Sequence, residues 1–157
     1  MKRVYLLAII SVVIVAGIAT SLLIYEASQN TRPPQVVLVY LGNTYSGAPD
    51  NYCWPKPPAN GTCTDPLNVG PRTDVPPPIS VANNSSVTFQ VSGSSNPSNY
   101  SVAIWTKSNG SSTVLALKHV TSSLPISLQA GNYYLSVFAV WNDGRGVGYT
   151  FEITVSA

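Results

Sequence analysis

Beyond Ile79, hydrophobic and polar residues alternate with a period of two, which is the pattern of β-strands that bury one face. In "SVTFQVS", for example, Val87, Phe89 and Val91 alternate with serine, threonine and glutamine. Turn-forming stretches such as "SGSSNPSN" and "NDGRG" separate the alternating segments, which cover residues 86–92, 100–105, 123–129, 133–141 and 147–155. The pattern predicts an all-β fold, an antiparallel β-sandwich of about seven or eight strands.

The N-terminal residues follow a different pattern. An apolar run without charge or proline extends from Val4 to Tyr25, and as a helix it would span roughly 33 Å, enough to cross a hydrocarbon core of about 30 Å. Lys2 and Arg3 precede the run, so the positive-inside rule places the N-terminus in the cytoplasm and the rest of the chain outside. A cleaved signal peptide ending at Ala19 is the alternative, but the length of the run favours a retained anchor.

These patterns divide the chain into three parts. Residues 1–25 are predicted to form a cytoplasmic stub and a single transmembrane helix, residues 26–34 a polar tether, and residues 35–157 an extracellular domain. Eleven of the 13 prolines precede Ile79. Because proline removes a backbone donor from a strand ladder, residues 45–78 are predicted to be a proline-rich loop.

One segment suggests a more specific architecture. "LQAGNYYLSVFAVWNDG" places Tyr133, Leu135 and Val137 on one face of a strand ahead of a glycine turn. It resembles the penultimate strand of immunoglobulin-like and fibronectin-like domains, in which a tyrosine near the strand start hydrogen-bonds to a neighbouring loop. The resemblance covers roughly residues 79–155 and implies an Ig-like sandwich, with little implied about function. A hairpin with an aromatic core face is the simpler alternative.

The two cysteines of the chain, Cys53 and Cys63, flank the stretch "WPKPPANGT". A metal site would need more ligands, and His119 is the only histidine. A redox pair would normally be spaced as C-x-x-C. In an exported chain a disulfide between the two cysteines is favoured, and closing so short a loop would contribute about 2.5–3 kcal/mol. We expect neither a metal nor a cofactor.

The residues around this loop also carry a resemblance. "YCW", a short loop and "CTD" are similar to a motif at the start of an uncharacterised extracellular β-domain found in membrane-anchored proteins and lipoproteins of Gram-positive bacteria and some archaea. The similarity rests on Tyr52, Cys53, Trp54, Cys63, Asp65 and the closing strands around Tyr133 and Phe151. It implies extracellular placement and the disulfide, and it implies no activity. This chain departs from that group in having no lipid-bearing cysteine and fewer charges.

Charge argues against several classes of function. Charged residues make up 9% of the chain, the formal net charge is +2, and from Glu26 onward the acidic and basic residues cancel. Without a basic stripe, nucleic-acid binding is not expected. Asp50 and Asp65 flank the cysteine loop, where loop capping is favoured over a catalytic carboxylate pair. His119 has no orienting acid close to it in the sequence, so we expect that the protein is not an enzyme.

Serine, threonine and asparagine take the place of charge on the predicted surface. Asn-x-Ser/Thr motifs, the acceptor sites of N-glycosylation, lie in predicted loops or at strand edges, as expected for a glycoprotein of a bacterial or archaeal cell surface. The candidate glycosylation sites are Asn60, Asn83, Asn84, Asn99 and Asn109.

These features together predict a surface binding or accessory module that contacts a partner protein or a surface polymer. The candidate contact surface is the loop 45–58, with Trp54 at its centre and Tyr52 and Tyr45 beside it, because rigid loops and tryptophan recur at binding hot spots. Packing of Trp54 against its own domain is the simpler alternative. A pilin-like or filament subunit, and a small single-span subunit of a larger membrane complex, are the alternative functions.

Overall fold

A computed structural model describes Ile14, Ile18 and residues 33–54, 70–93, 96–108 and 111–156. The chain divides into two units, Met1–Arg32 and Pro33–Ala157. In the first unit, Ile14 and Ile18 are helical and more than half exposed. Among the described residues there is no helix with the length and apolar character needed to cross a membrane. The predicted transmembrane helix and most of the tether lie outside the described residues and stay predictions.

The described part of the second unit consists of ten strands. In chain order they are β1 (Gln35–Tyr40), β2 (Asn43–Ser46), β3 (Ala48–Cys53), β4 (Ile79–Ala82), β5 (Ser85–Ser92), β6 (Asn99–Ser108), β7 (Ser111–Val120), β8 (Ser123–Ile126), β9 (Gly131–Val140) and β10 (Gly146–Ser156). The smaller sheet has the order β2-β1-β5-β8, and the larger has the order β3-β10-β9-β6-β7, with β4 also paired to β10. Every strand pair is antiparallel except β4–β10. The prediction of an all-β domain with antiparallel sheets is confirmed.

One hydrophobic core lies between the two sheets, and both contribute to it through alternate residues. From the smaller sheet, Leu38 and Phe89 are at most 1% exposed. Phe89 meets the larger sheet through its ring, whose centroid lies 5.6 Å from that of Tyr100 and 6.3 Å from that of Phe151. The alternation in the sequence therefore identified the core-facing residues correctly in the strands that it predicted.

The segment that the sequence predicts as a loop, residues 45–78, contains the whole of β3 and the last two residues of β2. β2 contains Tyr45, and β3 contains Pro49. β3 tolerates this proline because it is an edge strand. No strand lies on its outer side, so no carbonyl there loses a hydrogen bond when the backbone N–H is missing. The strand register also shifts at this point, between Val147 and Tyr149 of β10. The described part of the chain thus contains ten strands rather than about seven or eight.

The start of β9 is fixed by a tyrosine. The hydroxyl of Tyr133 donates a hydrogen bond of 2.9 Å to the backbone carbonyl of Gln129, four residues upstream. Tyr133 is 8% exposed and packs in the core. The bond links the first part of β9 to the segment just before it.

The outer face of the larger sheet carries a second, smaller apolar cluster. Trp105 lies on the face opposite Ile104, as alternation predicts, yet it is only 8% exposed. It packs with Ala103 and Tyr134 against Val75, which belongs to the proline-rich segment 70–78. That segment covers part of the outer face, so the sheet is shielded on both sides at this point.

Ionic contacts border this cluster. Lys107 Nζ donates a 2.7 Å hydrogen bond to Glu152, whose side chain is 9% exposed. The same ammonium lies 5.2 Å from the ring centroid of Tyr134. Arg72 forms an ion pair with Asp74 and donates a 3.0 Å hydrogen bond from Nη1 to the carbonyl of Pro49. The hydrogen bond from Arg72 to Pro49 holds segment 70–78 close to the edge strand β3.

Candidate functional site

The candidate site lies at one end of the domain, where strand register brings three chain segments together. Cys53, the last residue of β3, pairs with Gly146, the first residue of β10. Gly146 in turn pairs with Val140, which pairs with Asn99 at the start of β6. The Cys53–Trp54 end of β3, the turn from β9 to β10 and the loop that precedes β6 therefore share this end of the domain.

The turn from β9 to β10 is rigid for reasons visible in its sequence, "WNDGRG". Gly144 has a φ of 83°, a left-handed conformation in which glycine carries no steric penalty. Its N–H donates to the carbonyl of Trp141, and the N–H of Trp141 donates to the carbonyl of Arg145. Asp143 accepts hydrogen bonds from the backbone N–H and from Nε of Arg145, at 3.2 Å and 2.7 Å. The guanidinium of Arg145 is thereby held in one position.

An aromatic–cation stack forms between this turn and the end of β3. The rings of Trp54 and Trp141 meet edge to face, with centroids 5.3 Å apart and planes at 70°. The guanidinium carbon of Arg145 lies 4.3 Å from the centroid of Trp54. Edge-to-face aromatic pairs and cation–π contacts each contribute about 0.5–1.5 kcal/mol. We call these three residues together the Trp54 stack.

The structure separates the three residues predicted to form the contact surface. Tyr52 is 59% exposed, whereas Trp54 is half-buried and packs against the core. Tyr52 belongs to β3, and Trp54 directly follows the last residue of that strand. Tyr45 is half-buried in β2 of the other sheet, opposite Leu38. The ring of Trp54 packs on its own domain without being fully buried, and its role in a contact surface stays a prediction.

Sequence reasoning missed Arg145 as a member of this site and left Trp141 unassigned. Both flank the "NDG" turn. A tight turn brings the residues on its two sides together. The "NDG" motif therefore indicated that Trp141 and Arg145 lie close to each other.

Several predicted positions lie beside the site or outside the described residues. Cys53 is 8% exposed and is not a free thiol. Its predicted disulfide partner, Cys63, and the neighbouring Asp65 lie outside the described residues, as do Asn60 and Asn109. The pairing of the two cysteines stays a prediction.

The three candidate glycosylation sites that the structure describes are all exposed. Asn83 and Asn84 form the turn between β4 and β5, and Asn84 has a left-handed φ of 58°. Asparagine tolerates this conformation better than most residues. Asn99 begins β6 at the same end of the domain as the Trp54 stack. Each side chain is therefore open to modification, and occupancy by a glycan stays a prediction.

Asp50 and His119, the described ionisable residues weighed as catalytic candidates, form structural contacts. Asp50 accepts hydrogen bonds from the N–H of Asn51 and from the hydroxyl of Thr150, so its carboxylate links the edge strand β3 to β10. His119 Nδ1 lies 2.9 Å from the hydroxyl of Ser101, and within the described residues no carboxylate contacts this histidine. The described residues also contain no cluster of three or more histidine, cysteine or acidic side chains suited to a metal ion.

No protein-family model, curated protein or solved structure matches the chain.

Proposed function

We propose that this protein is a single-pass, membrane-anchored extracellular module that binds a partner protein or a surface polymer without catalysis, and that its domain is an Ig-like sandwich. The observation that carries the proposal is the Trp54 stack with the exposed Tyr52 beside it. The apolar run from Val4 to Tyr25 supports the anchor. The hydrogen bond from Tyr133 to Gln129 supports the Ig-like topology.

The Trp54 stack has the composition and the rigidity of a binding surface. Tryptophan, tyrosine and arginine are the residue types enriched at binding hot spots. Arg145 is fixed by Asp143, and Trp54 is fixed by Trp141 and Arg145. A surface ordered before binding loses little conformational entropy when a partner docks. The exposed ring of Tyr52 therefore lies beside a surface that is already in one conformation.

Site-specific photo-crosslinking in the native host tests this proposal. A photoreactive phenylalanine analogue replaces Tyr52 in the full chain, and a matched variant carries it at Leu117, which is 60% exposed on β7. We expect a discrete covalent adduct from position 52, identifiable by mass spectrometry, and none from position 117. Adding Arg145→Ala should reduce the adduct at least tenfold, because the cation–π contact and the ion pair with Asp143 are both lost.

Two outcomes would count against the proposal. Equal adduct formation from positions 52 and 117 would mean that the contact is non-specific. An adduct from position 52 that Arg145→Ala leaves unchanged would mean that the Trp54 stack plays no part in binding.

The filament alternative is favoured by one further observation, the edge strand β7. Val114, Leu115 and Leu117 are 40%, 51% and 60% exposed on this strand. Long apolar edge strands are templates for pairing with another chain. A register shift opposite Ile104 and Trp105 interrupts the regular edge, however, and bulges of this kind oppose edge-to-edge pairing. Recovery of the chain in sheared filaments, with its N-terminus cut close to Arg3, would establish the filament subunit instead.

A further inference from the structure

The chain enters the domain at the end that carries the Trp54 stack. Gln35, the first residue of β1, pairs with Ser92, the last residue of β5. The next strand in the chain, β6, begins at Asn99, and the row of paired residues that starts there crosses β9 and β10 and ends at Cys53. The start of β1 and the Trp54 stack therefore lie at one end of the domain, which we call the entry end.

The opposite end of the domain lies a full strand length away. β10 runs from Gly146 at the entry end to Ser156 and has 11 residues, which span about 33 Å. The N–H of Asn83 donates to the carbonyl of Ser156, and the hydroxyl of Tyr40 accepts a hydrogen bond from the N–H of Ala82. The turns that follow β1 and β4 therefore form the far end.

The length of the chain before the domain decides which end an anchored protein turns toward the membrane. Pro34 is buried in the domain. Residues 26–33 separate it from the apolar run that ends at Tyr25, and eight residues span at most about 29 Å when fully extended. Placing the far end against the membrane would need a link along the whole length of the domain, about 33 Å. The entry end of an anchored chain therefore cannot point directly away from the membrane.

The entry end has little that would insert into lipid. Among the described residues there, Tyr52 is the one large hydrophobic side chain that is more than half exposed. The guanidinium of Arg145 is paired with Asp143, so the two together bring no net charge to anionic headgroups. Binding to a membrane surface generally requires a broad apolar face or several unpaired cations. An aromatic residue beside a fixed arginine is instead typical of a contact with another protein.

We propose that the Trp54 stack contacts a protein of the same membrane, beside the bilayer surface. This contact rests on the proposed function, which supplies both the anchor and the binding role of the stack. Two proteins confined to one membrane meet at a high effective concentration. A contact surface as small as the Trp54 stack and Tyr52 is then sufficient, whereas a partner on a neighbouring cell would meet the far end first.

Paramagnetic relaxation in lipid nanodiscs tests the orientation of the full chain, with nitroxide labels on the lipid headgroups. The probes are two turn glycines with the same left-handed backbone, Gly144 at the entry end with a φ of 83° and Gly42 at the far end with a φ of 78°. We expect the label to broaden the amide signal of Gly144 at least about fivefold more than that of Gly42, since the ends lie about 33 Å apart. Equal broadening would overturn the orientation. A chain that does not enter the nanodiscs would overturn the anchor as well.

Photo-crosslinking in a mixed culture of the native host tests where the partner resides. One strain carries the photoreactive phenylalanine analogue at Tyr52 of the full chain, and a second strain, which lacks the chain, is grown on heavy nitrogen. The strains are pelleted together and illuminated. We expect adducts only with unlabelled proteins that are integral to the membrane, because both partners then belong to one cell. An adduct with a labelled protein, a soluble protein or a glycan would overturn this proposal and leave the proposed function standing. An adduct with lipid, or no adduct at all, would overturn both.

Discussion

Gly47 is the point at which the chain passes from the smaller sheet to the larger one, between β2 and β3. The residue is buried, and a Cβ added to it would point at a core side chain. A Cβ added here would lie 2.9 Å from the ring of Phe151 and 2.9 Å from the backbone carbonyl oxygen of Thr150. Phe151 is 1% exposed, and Thr150 belongs to the central part of β10. Neither neighbour can move aside without disturbing the core or the ladder.

We therefore expect Gly47→Ala to destabilise the domain. Overpacking of a filled core costs about 1–3 kcal/mol, and this site belongs to the upper half of that range because one of the two clashing groups is backbone. For a domain of this size, each kcal/mol lowers Tm by roughly 3–5 °C. A loss of about 2 kcal/mol thus predicts a Tm lower by roughly 6–10 °C.

Gly131→Ala is the matched control. A Cβ at Gly131 would meet only the ring of Tyr133, at 3.5–3.7 Å, which is ordinary van der Waals contact. Replacing a glycine where the backbone permits it stabilises by about 0.4–1 kcal/mol, through the unfolded state. Thermal unfolding of the full chain, followed by tryptophan fluorescence, should place wild type and Gly131→Ala close together and Gly47→Ala well below both. A Gly47→Ala variant as stable as Gly131→Ala would refute the reasoning from close packing.

Two further predictions concern single contacts. Tyr133→Phe removes the hydrogen bond to the Gln129 carbonyl and should lower the free energy of unfolding, measured in urea, by about 0.5–1.5 kcal/mol. Tyr52→Phe, at an exposed phenol, is the control and should leave the free energy of unfolding unchanged. Equal effects of the two substitutions would contradict the role of the hydrogen bond. The hydrogen bond from Lys107 to Glu152 is the largest cause that raises the pKa of Lys107. Since the protonated form is favoured in the folded state, this stabilisation is complete below the unfolded pKa of about 10.4 and is lost as pH rises through the folded value. Wild type should lose stability above about pH 10.5 more steeply than Lys107→Met, and parallel curves for the two proteins would exclude the contribution.

The alternation of side chains determined much of the fold without tertiary information. In β5, β9 and β10 the residues on one face of each segment became the core, because a strand that packs on a second sheet must bury every other side chain. The two residues of the hydrogen bond between Tyr133 and Gln129 lie only four positions apart in the chain. The core-facing residues of a strand depend only on residues close together in the chain, and the sequence alone therefore predicted them.

Three features were decided only by the tertiary structure. Alternation placed Trp105 on the outer face but gave no sign that Val75, thirty positions earlier, would cover it. The prolines before Ile79 predicted a loop, yet β3 forms there because it pairs with β10. As an edge strand it has no neighbour on its outer side that needs an N–H from Pro49. The Trp54 stack joins Trp54 to Arg145, far apart in the chain. The hydrophobic period and the residue propensities describe one strand at a time. Which segment covers the outer face of a sheet, which strand lies at its edge and which aromatic rings stack depend on segments that are distant in the chain. The packing of the whole domain decides where those segments lie.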